Sequence, residues 1–252
     1  MNYLTIPFFK ALLKKTESKI ALAFSFFPLL LIVVGLFNTN FMRLSAPPGS
    51  MSFLEFFSAV LSTQYQITLP LVVFIYISST VFRDEITTGI MYLYKDISRR
   101  LVLNAKIGAI ILLQFLYIGL TAIMSLITYY LYLIHQPYTS GNFLPRASAD
   151  IQYTLVSITG TVLVFLLCSM IANLASISFS NGITMLVGIV FALFSFIAPS
   201  LTHLRFIFPN GYINVLNNLS FGFAILLTTI VFAVYFISIY VLSLRFYRKL
   251  EY

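Results

Sequence analysis

The sequence is short of charge. Only 22 of its 252 residues are Lys, Arg, Asp or Glu, a share of 9%, whereas a soluble domain carries roughly 25%. Apolar residues make up 60% of the chain, and the mean hydropathy is +0.98. A chain of this composition cannot cover a water-facing surface with polar groups. The sequence therefore excludes a soluble domain and predicts an integral membrane protein.

Tryptophan is absent, and cysteine occurs once, as Cys168 inside an apolar run. Trp normally shares the membrane interface with Tyr, so we expect the 16 Tyr residues to fill that role alone. One cysteine excludes an internal disulfide and a thiolate metal site, and we expect Cys168 to be a small buried hydrophobe. His135 and His203 have no second ligand near them in the sequence, so no metal site is predicted.

Sequence motifs for catalysis are missing as well. The apolar runs contain no His-Glu-x-x-His, paired Asp or Ser/His cluster, which argues against an intramembrane enzyme. The chain has no Gly-x-x-x-x-Gly-Lys-Ser/Thr phosphate loop, so it cannot hydrolyse ATP as motors with that loop do. We also expect no buried Asp, Glu, Lys or Arg within the membrane spans, which argues against an ion-coupled transporter or a channel.

Six apolar runs are long enough to cross a bilayer as helices, which need about 20 residues. They are residues 20–37, 60–82, 107–134, 154–177, 183–200 and 220–244. No cleavage site follows the first run, so we expect an uncleaved span rather than a signal peptide. The five residues 178–182 have turn chemistry and predict that the fourth and fifth helices are antiparallel neighbours. The expected fold is all-α, with one transmembrane domain over residues 1–252.

Lys and Arg are distributed unevenly between the two sides of this topology. The side with both termini and the connection of residues 82–106 carries twelve of them, and the other side carries only Arg43, Arg146 and Arg205. Because positive loops stay inside, both termini and that connection are predicted to be cytoplasmic, in an inner or plasma membrane. The net charge of +8 is thus an orientation signal and does not indicate nucleic-acid binding.

Residues 1–19 have a pattern of their own. One helical face carries apolar side chains, with Lys10 and Lys14 off that face: Phe8, Phe9, Leu12 and Leu13. This pattern predicts an amphipathic helix on the inner leaflet, with its lysines toward anionic lipid. The alternative is a basic tail without regular structure.

The connection of residues 82–106 concentrates charge, with eight of the 22 charged residues. An apolar stripe at helical spacing runs through it, formed by Ile86, Ile90, Leu93 and Ile97. The stripe predicts a helix over residues 84–97. Asp84 and Glu85 would then lie in its first turn, where the helix dipole favours negative charge, and Ser98 would cap the next helix.

Two interpretations of this helix compete. It either tucks its apolar face against the membrane as a topology anchor, or it presents that face to a protein partner. Met91, Tyr92 and Tyr94 add large side chains between the charges, which is typical of protein-docking surfaces and favours the second interpretation.

A family resemblance rests on the same residues. The run Glu85-x-x-x-Gly89-Ile90-x-x-Leu93-x-x-x-Ile97-Ser98-Arg99, followed by Lys106, resembles the first cytoplasmic loop of ABC-2-type transporter permeases. In that family the loop carries a coupling helix that docks on a separate ATP-binding subunit. The amphipathic start, the six spans and the cytoplasmic termini extend the resemblance over essentially the whole chain. Asp96 stands where the family commonly has Pro, so the end of the coupling helix within residues 83–100 is open.

The resemblance implies a permease subunit of an ATP-driven exporter. Its partners would be an ABC ATPase subunit that binds Mg-ATP, a second permease that is an identical copy or a paralogue, and the lipid bilayer. The chain itself would be no enzyme and would hold no cofactor. The docking residues implied are Glu85, Gly89, Ile90, Leu93, Tyr94, Asp96, Ser98 and Arg99, of which Arg99 binds either the ATPase or lipid.

Polar residues within the spans are candidates for a substrate path: Gln64, Gln66, Thr68, Gln114 and Asn173. Hydrogen bonding between helices is the alternative role for such residues. Apolar, Phe-rich spans suit a hydrophobic or amphipathic substrate, with a peptide toxin or antimicrobial peptide as the leading expectation and a lipid or drug as alternatives. A membrane scaffold, or an immunity or sensing component that recruits a cytoplasmic partner without transport, is the competing function.

Overall fold

The computed structural model describes residues 3–37, 46–216 and 220–249. These ranges contain helices and no β-strand. The α-helices are α1 (Thr5–Lys14), α2 (Thr16–Ala23), α3 (Leu30–Leu36), α4 (Phe53–Ile67), α5 (Leu69–Thr87), α6 (Arg99–Leu131), α7 (Ser148–Ser178), α8 (Asn181–Ile197) and α9 (Phe221–Lys249). Short 3-10 helices cover Phe24–Leu29, Ile90–Tyr94, Leu133–His135, Ala198–Ser200 and Pro209–Val215.

The apolar runs form the long helical segments. In the described ranges, five segments are long and apolar enough to cross a membrane: Thr16–Leu36, Arg99–His135, Ser148–Ser178, Asn181–Ser200 and Phe221–Lys249. The remaining run, residues 60–82, falls on α4 and α5, whose axes meet at a bend of 63°. The two helices count as a sixth segment if they cross the membrane as one span. The chain is therefore an all-α, multi-pass membrane protein.

The bend between α4 and α5 lies at Thr68, which we call the hinge. Thr68 has a φ of +60°, in the left-handed region, which costs a residue with a Cβ about 1–2 kcal/mol. Pro70 follows in the first turn of α5, where the missing N–H does no harm, although in a helix interior it would break the ladder. The chain therefore ends one helix at Ile67 and starts another at Leu69.

The centre of the molecule is built by α5, α6 and α7. Phe74, Tyr117 and Phe165, one from each helix, contact each other with ring centroids 5.4 to 5.8 Å apart. Cys168 lies on the buried side of α7, as predicted. α8 packs on α5 and α7, and only Phe179 and Ser180 separate α7 from α8. α9 packs mainly on α7 and is the least enclosed of the candidate spans.

Backbone hydrogen bonds join the start of α4 to the connection after α6. Met51 donates to the carbonyl of Tyr138 at 3.0 Å, and Ser140 donates to the carbonyl of Met51 at 2.9 Å. We call this pairing, which extends from residue 49 to 54 on one side and from 137 to 143 on the other, the clasp. Beside it, Ser52 and Glu55 form a reciprocal capping box that fixes where α4 begins.

The amino-terminal helix is shorter than the predicted 1–19. α1 ends at Lys14, because Lys15 is extended, and α2 then begins the first candidate span. The four predicted apolar residues lie on the face of α1 that packs against the protein, where Leu12 is buried and Phe8, Phe9 and Leu13 contact the core. α1 lies against α6, where a Cβ on Gly108 would approach Thr5 Cγ2 to 3.0 Å.

Candidate docking loop and candidate substrate groove

The prediction of one helix over residues 84–97 is wrong. α5 ends at Thr87. Gly89 follows with a φ of +72°, the left-handed conformation that commonly terminates helices. Thr88 caps this end, because its Oγ1 donates a hydrogen bond of 2.6 Å to the carbonyl of Asp84 in the last turn of α5. A 3-10 helix, Ile90–Tyr94, follows, and α6 begins at Arg99. We call residues 88–98 the docking loop.

The break at Gly89 also splits the predicted apolar stripe. Ile86 and Ile97 are partly buried against the core at the two ends of the docking loop. Ile90 and Leu93 point outward and are 41% and 79% exposed. Asp84 and Glu85 therefore lie in the last turns of α5 rather than in the first turn of a new helix, as had been expected.

The docking loop presents apolar side chains to its surroundings. Tyr92 is 56% exposed beside Ile90 and Leu93, whereas Met91 turns inward and is buried. Asp96 and Ser98 are exposed, and Ser98 precedes α6 as predicted, although its side chain makes no capping hydrogen bond. The side chain of Tyr94 lies outside the described residues.

Lys106, which precedes the predicted third span and was counted among the cytoplasmic cations, is buried. It lies in α6, has 0% exposure, and forms an ion pair with Glu85 of α5, with Nζ 2.6 Å from Oε2. Nζ also donates to the carbonyl of Val81 at 3.1 Å and lies 5.0 Å from the centre of the Phe82 ring. Lys106 is about two turns into α6, near the docking loop and not at mid-helix.

A second polar contact joins α5 to α8. Asn181, the first residue of α8, accepts a hydrogen bond from Ser79 Oγ at 2.6 Å and donates Nδ2 to Asp84 Oδ1 at 2.9 Å. The sequence marked Asn181 only as a turn residue. Nothing in a linear pattern links it to Asp84, because the two are 97 positions apart.

The carboxyl end of α9 reaches the same region. Tyr247 is buried and packs edge-on against Phe82, with ring centroids 6.2 Å apart. Arg99, at the start of α6, donates a hydrogen bond to the carbonyl of Arg248. The end of α5 therefore contacts α6, α8 and α9, and we call this region, with Ser79, Asp84, Glu85, Lys106 and Asn181, the junction.

Three of the predicted path residues are buried, and two of them, Gln64 and Gln114, join one helical segment to another. Gln64 donates to the carbonyl of Phe24 at 2.9 Å. Gln114 donates to the carbonyl of Phe165 at 3.1 Å and to Ser169 Oγ at 2.6 Å. The Oδ1 atom of Asn173 is buried and has no hydrogen-bond partner among the described residues.

The other two predicted path residues lie at the hinge. Gln66 is exposed, and Thr68 Oγ1 donates to the carbonyl of Ile67 at 2.6 Å. Ile67 and Leu69 on either side are 42% and 54% exposed. The structure thus separates Gln66 and Thr68 from the buried Gln64, Gln114 and Asn173.

An open cavity of about 420 Å³ lies between α4 and α7, and we call it the groove. Its lining is mostly polar: Glu55, Ser58, Ala59, Ser62, Asp150, Tyr153, Thr154 and Ser157. Ser58 and Ser157 bridge it with a 3.1 Å hydrogen bond. Glu55 also accepts a hydrogen bond from Ser52 N at 2.8 Å.

The docking loop offers an apolar contact on a rigid base, and the groove offers hydroxyls and two carboxylates. Among the described residues, no three metal-ligating side chains come together. Function must therefore be inferred from the geometry, because comparison with family models, with curated proteins and with solved structures finds no match to this chain.

Proposed function

We propose that this protein is the permease subunit of an ATP-driven exporter and that its docking loop binds a separate ATPase subunit. The observation that carries the proposal is the exposure of Ile90, Tyr92 and Leu93 on the one strongly charged connection of a membrane protein. The membrane interface also accepts Tyr and basic side chains, but this connection carries acidic residues as well, and Ile90 and Leu93 are exposed among them. A protein surface suits both, because interfaces bury aromatic and aliphatic side chains within a polar rim.

The base of the docking loop supports a mechanical role. The ion pair of Glu85 and Lys106 fixes the end of α5 to α6, and Asn181 fixes it to α8. A partner that moves the loop would therefore move several helices and would not merely deform a flexible turn. Because the carboxylate of Glu85 is engaged with Lys106, we assign Glu85 to the base of the loop and Ile90, Tyr92 and Leu93 to the contact.

A single crossing by the bent pair supports the six-span topology. From Arg83 to Leu69, α5 rises about 21 Å, at ~1.5 Å per residue. α4 is about as long but is inclined by 63°, so it adds about 10 Å along the same axis. The sum of about 31 Å matches a hydrocarbon core of about 30 Å. With six spans both termini lie on the side of the docking loop, which the Lys and Arg distribution makes cytoplasmic.

The hinge supports a second permease chain or a water-filled path beside α4. Irregular backbone at membrane depth is not found facing lipid, because its unpaired amide and carbonyl groups need polar partners. Gln66, Ile67 and Leu69, which surround the hinge, are exposed in the single chain. A dimer of permeases, identical or paralogous, would cover the hinge and enclose the groove as a substrate path.

The spans favour a hydrophobic or amphipathic substrate. The described membrane segments expose many Phe, Leu and Ile side chains, and the groove adds hydroxyl and carboxylate groups at one end. An amphipathic peptide, such as a peptide toxin or antimicrobial peptide, suits both surfaces. A lipid or a drug would use the apolar surface alone.

Copurification with the ATPase subunit tests the proposal. We expect Ile90→Asp/Leu93→Asp to abolish the complex, because burying two carboxylates in an apolar contact is unfavourable. Phe179→Asp is the matched control, since Phe179 is 49% exposed on the same side but lies outside the docking loop. Retention of the complex by the double variant would refute docking through this loop.

The competing function, a scaffold that recruits a partner without transport, gives a different result in a second measurement. A transporter reconstituted with its ATPase hydrolyses ATP faster when substrate is added, whereas a scaffold shows no such response.

A further inference from the structure

α8 has no chain connection to the docking loop, which leads directly only into α5 and α6. It packs against α5, whereas the 63° bend at the hinge turns α4 away from the axis of α5. Displacement of α5 can reach α4, which lines the groove, through a helix that contacts both of them.

The contacts of α8 supply that route at both of its ends. At one end, Asn181 bridges Ser79 and Asp84 of α5. At the other end, the hydroxyl of Tyr65, three residues before the hinge, and Ser195 Oγ share a hydrogen bond at 2.6 Å, in which either oxygen can donate. The carbonyl of Ala192 lies within hydrogen-bond distance of both hydroxyls, at 2.8 Å from Ser195 Oγ and 3.5 Å from the Tyr65 oxygen.

The middle of α8 is held against α5 by close packing. A Cβ on Gly188 would lie 2.6 Å from Ile75 Cγ2, so the Ile75 side chain packs directly over Gly188 and a larger residue there would displace it. The three contacts lie along about 21 Å of one helix, from Asn181 to Ser195. They join the loop end of α5 to the last turn of α4, on either side of the 63° bend.

We propose that α8 is a strut across the hinge, which carries displacement of the docking loop past Thr68 to α4 and the groove. Asn181 is its positioning residue, because it alone accepts from Ser79 and donates to Asp84 at once. The functional consequence rests on the proposed docking function, whereas the mechanical linkage between Asn181 and the hinge does not.

Exchanging the side chains of Asn181 and Asp84 tests the strut and includes a control for misfolding. Asn181→Asp places two carboxylates together and breaks the contact with Asp84, yet Asp is favourable in the first turn of α8. Asp84→Asn alone keeps the contact, because an amide oxygen still accepts from Asn181. The double variant Asn181→Asp/Asp84→Asn restores it with the roles reversed and controls for misfolding.

Hydrogen exchange of the full chain in lipid nanodiscs reads the linkage without any partner. We expect Asn181→Asp to speed exchange of the amides of residues 66–69 about tenfold, and the double variant to return to the wild-type rate. Tyr65→Phe should give the same increase, and its combination with Asn181→Asp should add nothing, because both cut one route. Faster exchange confined to the start of α8, with the hinge unchanged, would overturn the strut.

In the complex with the ATPase, we expect Asn181→Asp to keep binding and ATP hydrolysis but to lower the substrate moved per ATP about tenfold. Wild-type coupling in that variant overturns the strut and leaves the docking proposal intact. Failure of the wild-type chain to bind an ATPase overturns the docking proposal, while hydrogen exchange still decides the strut.

Discussion

The buried ion pair of Lys106 and Glu85 leads to an asymmetric prediction for stability. Lys106 is fully buried, whereas the side chain of Glu85 is 20% exposed. Glu85→Gln keeps an oxygen that can accept from Lys106 Nζ but removes the negative charge, and leaving a buried ammonium group without a compensating charge costs about 3–5 kcal/mol. Lys106→Met leaves a carboxylate that still reaches water, so its cost should be smaller, at about 1–2 kcal/mol.

Replacing both partners should cost little. Glu85→Gln/Lys106→Met removes both charges and fills the space with side chains of similar volume, so we expect stability within about 1 kcal/mol of the wild type. The two single changes would then be strongly non-additive, as expected for residues in direct contact.

Thermal unfolding of the purified protein in one detergent gives the measurement. We expect the midpoint temperature to fall in the order wild type, double variant, Lys106→Met, Glu85→Gln, with the last about 10 °C below the wild type. Lys95→Met, which removes an exposed charge from the docking loop, should leave the midpoint unchanged. The reasoning fails if Glu85→Gln unfolds like the wild type or if Lys106→Met is the less stable single variant.

Three further predictions concern topology, packing and the hinge. With Ser50→Cys and Ser98→Cys, a membrane-impermeant thiol reagent should label the first in intact cells and the second only after permeabilisation; the reverse would invert the topology. Gly188→Val should lower stability by about 1–3 kcal/mol in thermal unfolding, because its side chain overlaps Ile75, and Ile75→Ala should recover part of the loss. Thr68→Asn should raise stability by about 1 kcal/mol in denaturation, since Asn adopts the left-handed region more readily; a loss would contradict strain at the hinge.

The apolar runs predicted the long helices because each run is a local property of the chain. The start of α6 after Ser98 and the short turn between α7 and α8 were also readable, since both depend on neighbouring residues. The hinge was not predicted, although Pro70 stood in the sequence, because Pro alone does not tell a kink from a complete break.

The error in the docking loop has a specific physical origin. Hydrophobic periodicity continued from Ile86 to Ile97 and masked the left-handed Gly89, although two Thr followed by Gly is a helix-ending sequence. Lys106 was counted among water-facing cations because its partner Glu85 lies in another helix. Asn181 and the groove depend on helix packing, which no local pattern encodes.

The clasp bears on the order in which the chain assembles during synthesis. All of its backbone bonds lie between residues 49 and 143, so they need no residue of α7, α8 or α9. Tyr129 reinforces the pairing, since its hydroxyl donates to the carbonyl of Met51 at 2.9 Å. α4, α5 and α6 thereby form a closed hairpin that can leave the insertion machinery as one unit. The later helices then meet a preformed surface, and a released chain truncated after α6 and the clasp, at residue 147, should already protect these amides.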